Sequence, residues 1–222
     1  MIKRVVLLAV LSGIPFTGAQ ADTSMRVYDA MGIPPENVLT GSIIPSRVMA
    51  GEDKQTVAVV TYMTGNRNKT KAVNVRLEIY RDVGGNLVSV YSRDFGRELG
   101  HQVAKGEALL VDLDADGINE IIVTYESLED PLIRQRWGEV VMHDPTEGFV
   151  PVWSDLMEFD GTKAARKLPE ERRDHFVREV GVAETLRTHG RTLFMVKEVI
   201  AVAGEQLPKP KIVQESYPLR RD

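Results

Sequence analysis

Val73, Val75, Leu77 and Ile79 alternate with Asn74, Arg76 and Glu78, a period-two pattern that predicts a strand with one buried face. Gly84-Gly85-Asn86 then supplies a turn before Leu87 to Tyr91, so the segment reads as a hairpin. The design returns downstream: Gly138 to His143 runs through the turn-rich Asp144-Pro145-Thr146-Glu147-Gly148 into Phe149 to Trp153. The apolar runs at Ala108 to Val111 and Ile121 to Val123, aliphatic or β-branched, are too short for helices and predict two further strands.

The recurrence extends to particular residues. Val60-Thr61-Tyr62 returns as Val123-Thr124-Tyr125 at an offset of 63, while Tyr80-Arg81-Asp82 parallels Met142-His143-Asp144 and Tyr91-Ser92 parallels Trp153-Ser154, both at 62. Repeats of this size mark stacked supersecondary units, each too small to bury its apolar face alone. Two units of about four antiparallel strands are therefore expected, over about 48–95 and 104–157. Pro169-Glu170-Glu171 opens like a helix, and Phe176, Val177, Val180, Ala183 and Leu186 follow at helical spacing. These predict an amphipathic helix over about 169–187, with Arg172, Arg173, Arg178 and Glu179 on a solvated face. A last hairpin over about 192–217, interrupted at Gly204 and Pro208-Lys209-Pro210, reads as a third, degenerate unit. The expected fold class is mainly β: blade-like antiparallel repeats with one helix in the C-terminal half, laid over an open edge or face of a capped monomer.

Between the two central apolar runs lies Asp112-Leu113-Asp114-Ala115-Asp116-Gly117-Ile118-Asn119-Glu120, with four carboxylates at intervals around a glycine. Crowded carboxylates repel one another without a cation, and their oxygens suit a hard ion that takes six to eight oxygen ligands. An EF-hand needs a bidentate Glu at loop position twelve, where this chain has Val123, and helical flanks, where it has short β-branched runs. The nine residues resemble the calcium loop of the FG-GAP/VCBS repeat, the β-propeller blade of integrin α-chain type, which reads D-x-D-x-D-G-x-x-[DE] before an apolar strand. That resemblance covers about residues 107–126. It implies Ca2+ in a hairpin turn, bound by Asp112, Asp114, Asp116, the backbone carbonyl of Ile118, and Glu120. In the first unit the corresponding position holds Ala50-Gly51-Glu52-Asp53-Lys54-Gln55, which lacks the alternating acids and reads as a calcium-free copy. The rival readings of the acidic stretch are a solvated turn and a catalytic carboxylate pair. The pair needs one carboxyl with a raised pKa, whereas a bound cation holds all of them ionised. A propeller closes with four to eight blades, more than the chain's 222 residues supply at about 62 per unit, so a complete ring does not fit in one chain.

Met1-Ile2-Lys3-Arg4, the apolar Val5 to Leu11, and Ala19-Gln20-Ala21 read as a signal peptide over 1–21, with a single exported domain over 22–222 and a periplasmic or secreted location. The apolar stretch is shorter than the roughly 20 residues that span a bilayer. The chain's net charge of −4 becomes −6 when Lys3 and Arg4 leave with the leader, which disfavours nucleic acid as a partner. Having no cysteine, the chain has no disulfides and no cysteine for a lipoprotein anchor, so no stable membrane anchor is expected.

No G-x-S-x-G elbow, H-E-x-x-H zinc site or phosphate-binding glycine loop is present, and no catalytic residue is assigned. His101, His143, His175 and His189 lack metal-ligand spacing. Trp137, Trp153, Tyr62, Tyr125 and Tyr91 fit either core packing or a carbohydrate platform. The leading expectation is an exported, non-enzymatic, calcium-binding module whose partner is an unknown protein or glycan. A calcium-responsive component of a larger surface assembly is a related reading, and an envelope hydrolase whose site assembles only in three dimensions is the alternative.

Overall fold

The computed structural model describes residues 18–51, 54–65, 72–113, 116–164, 167–182 and 191–219. A helix, α1 (Gly18–Met31), leads into a four-stranded antiparallel sheet in sequence order, β1 (Val38–Ser46), β2 (Gln55–Thr64), β3 (Ala72–Val83) and β4 (Asn86–Asp94). A five-residue helix, α2 (Phe95–Leu99), capped by the Asp94 side chain, turns the chain into a second sheet. That sheet also runs in order: β5 (Val103–Val111), β6 (Glu120–Ser127), β7 (Arg134–Asp144), β8 (Gly148–Asp160), β9 (His175–Val182), β10 (Arg191–Val202) and β11 (Glu205–Leu219). The protein is thus mainly β and antiparallel, as the alternation requires. No helix among the described residues is long and apolar enough to cross a membrane.

Strand alternation sorts the core into layers. Val57 and Val59 of β2 with Val75, Leu77 and Ile79 of β3 are fully buried against Ile121, Val123, Tyr125 and Val141 of the second sheet. Burying one such side chain is worth roughly 1.5–3 kcal/mol, so this seam is the largest block of apolar stabilisation among the described residues. The opposite face of the first sheet, Ala58, Val60 and Tyr80, is covered by Val27, Met31 and Ile33 from α1 and the residues after it. The opposite face of the second sheet, Ile122, Val140, Met142 and Trp153, is covered by Met195 of β10.

Pairing registers show that the two sheets are copies. Ser46↔Gln55 and Ile44↔Val57 in the first are matched by Val111↔Glu120 and Leu109↔Ile122 in the second. Val57↔Ile79↔Tyr91 is matched by Ile122↔Val140↔Trp153, and a bulge follows Ile79 in one sheet and Val140 in the other. Tyr91-Ser92 and Trp153-Ser154, one of the sequence echoes, are therefore true structural equivalents. The Val-Thr-Tyr echo is displaced by two residues, which preserves the face each residue presents. The Tyr80/Met142 echo is displaced by one, which reverses it. Equivalent faces look the same way: Val57 meets the second sheet, and its counterpart Ile122 meets β10. The units are stacked in one sense rather than facing each other across a two-fold axis.

Three expectations are corrected. The first unit begins at Val38, ahead of the expected limit near 48, because its edge strand carries Gly41 and Pro45, which mask the period-two signal yet are tolerated at an edge. The helix expected over 169–187 does not form: a 3-10 turn at Glu170–Arg172 leads into β9, and 183–187 lie outside the described residues. Phe176, Val177 and Val180 fit both periods. Pairing of β9 with β8 on one side and β10 on the other satisfies its backbone, and β-branched Val177, Val180 and Val182 favour that outcome. Arg178, expected in solvent, is nearly buried, pairing with Asp155 at 2.9 Å and Glu215 at 3.1 Å and donating to the Leu156 carbonyl. The helix that caps a face is α1, at the other end of the chain. The third unit, finally, is not a separate blade: β9 is joined to β8 through a three-residue pairing, Glu158 to Asp160 with His175 to Val177.

Candidate metal centre

The acidic stretch forms the loop between β5 and β6, closed by the Val111↔Glu120 pair. Asp112 winds it: Oδ1 accepts the Asp116 N–H and Oδ2 the Gly117 N–H, each at 3.0 Å. Asp116 Oδ1 accepts the Ile118 N–H at 2.9 Å, and Gly117 takes φ +85°, a conformation costly for any residue with a Cβ. Glu120 stands at the foot of the loop, 2% exposed, and its Oε2 accepts the Leu113 N–H at 2.6 Å. Leu113 in turn is buried among Ile122, Val140 and Met195.

Of the expected ligands, Asp112, Asp116, Ile118 and Glu120 thus sit in one wound loop, and Asp114 lies outside the described residues. Among the described residues no three His, Cys, Asp or Glu side chains are gathered around one point. The donor chemistry fits a hard cation: carboxylates and a backbone carbonyl, with no nitrogen or sulfur ligand.

The first unit contains the same loop with different chemistry. Residues 47–54 join β1 to β2 and match 112–119 in length. Gln55 is the counterpart of Glu120: it is 1% exposed, and its Oε1 accepts the N–H groups of Val48 at 3.0 Å and Met49 at 3.2 Å. Val48 is buried like its counterpart Leu113. Counted along the sequence from the Gln55/Glu120 pair, Arg47 corresponds to Asp112, Met49 to Asp114 and Gly51 to Asp116. The closing contacts are retained, and none of the four positions that match Asp112, Asp114, Asp116 and Glu120 carries a carboxylate. The two loops also touch: the Asn119 N–H donates to the Arg47 carbonyl and its Nδ2 to Ser46 Oγ, both at 2.8 Å. Asn119 therefore links the acidic loop to its sister across the seam, a role that no motif marked.

A second polar feature was invisible in sequence. Glu139 of β7, 1% exposed, is ion-paired with Arg93 of β4 across the two sheets, and Arg93 also holds Glu98 at 2.7 Å and lies over the Phe95 ring. Burial raises the Glu139 pKa to about 7 despite the opposing pull of Arg93. Tyr125, buried beside it, is pushed up to about 12 by burial and by the Glu139 charge. Glu139 has a counterpart in Glu78, which is equally buried and held by Arg76, Ser89 and Ser92.

The aromatic residues resolve as packing. Tyr125 and Trp153 are core residues, Trp137 and Tyr91 pack against the inter-sheet core, and Tyr62 packs against the α1 cluster. His143 lies edge-on to Phe149 and His175 sits on β9, while His189 is outside the described residues. Searches against family models, curated proteins and solved structures each return no match, so fold and site carry the argument.

Proposed function

We propose that this is an exported calcium-binding β-repeat protein, built of FG-GAP/VCBS-type blades, that serves as a protein- or glycan-binding or structural module of the cell envelope. The supporting observation is the pair of equal-length loops: one keeps a buried glutamate and wound aspartates, and its sister keeps the frame with glutamine and arginine instead. Asp112, Asp114, Asp116, the Ile118 carbonyl and Glu120 hold the ion, which neutralises their mutual repulsion and fixes the turn between two strands. The role of the metal is structural, since both flanking strands are held in one sheet. Export to the periplasm or the exterior rests on the leader-like residues 1–21. It also suits a weak site, because such sites fill at the millimolar calcium found outside the cytoplasm. The module is taken as a monomer, its first face closed by α1.

Thermal melting with calcium and with a chelator tests this. For a dissociation constant of about 0.1 mM, about 1 mM calcium stabilises the native state by roughly 1.4 kcal/mol, a shift of a few degrees. Asp114→Ala is expected to abolish the shift. A wild-type melting curve indifferent to the chelator sinks the calcium assignment and leaves the repeat architecture untouched.

A further inference from the structure

At the end of the second sheet opposite the acidic loop, Ser127 Oγ lies 2.9 Å from His101 Nε2. The two are 26 residues apart, and the backbone sets their meeting: Ser127 closes β6 opposite Val103, the first residue of β5, and the Leu128 N–H donates to the Gln102 carbonyl at 2.9 Å. Ser127 is 6% exposed and lines a cavity of about 340 Å3. That volume falls within the roughly 300–1,000 Å3 of small-molecule sites. Leu128, Leu132 and Ile133 give the cavity an apolar wall, and Arg134 and Lys163 supply cations. Arg134 is committed to Glu126 and Glu158, whereas Lys163 is exposed on the cavity lining.

We propose that Ser127 and His101 form a nucleophile–base dyad that cleaves small carboxylic esters with a short aliphatic acyl group seated against Leu128, Leu132 and Ile133. With the ring proton on Nδ1, Nε2 takes the hydroxyl proton as Ser127 Oγ bonds to the ester carbonyl carbon. Collapse of the tetrahedral adduct breaks the ester C–O bond, and the departing alkoxide takes the proton from Nε2 and leaves as the alcohol. Water then attacks the acyl-serine, giving its proton to Nε2. The carboxylic acid departs and Ser127 Oγ recovers a proton, so the net change is ester plus water to acid plus alcohol. Lys163, on the cavity lining and within electrostatic reach of Asp160, is the cation assigned to the developing oxyanion. Among the described residues no carboxylate is bonded to His101, so the imidazole lacks the orienting partner of a triad. The substrates are accordingly activated or unhindered esters rather than amides.

The test treats the full-length chain with a fluorophosphonate probe and, separately, with p-nitrophenyl butyrate, with the modified peptide located by mass spectrometry. The expected result is one adduct per chain on Ser127 and a stoichiometric nitrophenolate burst that a chelator does not alter, which separates this site from the metal loop. Ser127→Ala removes both, and His101→Gln slows labelling by about 100-fold while melting like the wild type. No adduct, an adduct on another residue, or a burst that survives Ser127→Ala overturns the assignment. The adduct on the wild-type chain decides the matter even where a variant fails to fold.

Discussion

Replacing Glu139 with glutamine removes a titration that the seam between the sheets makes costly. The carboxyl is 1% exposed, and burial raises its pKa from 4.5 to about 7 although Arg93 is paired with it. Its folded-state pKa lies above the unfolded value, so the native state binds the proton more tightly. The stabilisation this provides is fully present below pH 4.5 and is lost as pH rises through 7. At about 1.4 kcal/mol per unit, the gap corresponds to roughly 3 kcal/mol between pH 4.5 and 8. Glutamine cannot ionise, and it leaves Arg93 with Glu98. The absolute stability of Glu139→Gln therefore mixes loss of the pair with relief of burial, and the informative quantity is the difference between the two proteins as a function of pH. Urea unfolding at half-unit intervals from pH 4.5 to 8 measures it, because titrations common to both proteins cancel. The wild type is expected to lose about 3 kcal/mol relative to the variant across that range. A difference that is flat with pH, or that moves in favour of the wild type as pH rises, refutes the reasoning. The latter result would mean that the Arg93 attraction outweighs desolvation.

Asn119→Ala removes the side-chain hydrogen bond to Ser46 Oγ while the backbone bond to the Arg47 carbonyl stays, and about 0.5–1.5 kcal/mol of stability should be lost in denaturant melts while the calcium dissociation constant, read by calorimetry, changes less than threefold. A Cβ at Gly106 would collide with the methyls of Val59 and Val75, so Gly106→Ala should cost roughly 1–3 kcal/mol by the same melts. At Gly41, the same position in the first unit, the added Cβ would meet the Tyr28 hydroxyl of α1. A comparable loss there, together with weakened protection of α1 amides in hydrogen exchange, would show that both glycines serve stacking.

Much of the architecture was legible because the strands bury one or both faces, and period-two burial writes itself into sequence. Val73 to Ile79 gave a strand, and the glycines at 84 and 85 gave its turn, since both depend on local stereochemistry. Helix against strand at 175–182 was not legible: Phe176, Val177 and Val180 satisfy either period, and the partners that decided the matter, β8 and β10, approach from elsewhere in the chain. The same holds for α1, whose apolar residues Val27 and Met31 are few and whose helicity serves to close the open face of the first sheet.

The acidic loop shows the same division. Its oxygen-rich chemistry, its length and the absence of its acids from the sister copy are properties of residue identity and spacing, so sequence alone fixes them. That Gln55 stands in the place of Glu120, that Asn119 ties one loop to the other, that Glu139 meets Arg93, and that His101 reaches Ser127 are all properties of register and stacking. Residues 26 to 73 positions apart meet only after strands have paired and sheets have packed, and side-chain identity carries no record of which distant backbone will lie opposite.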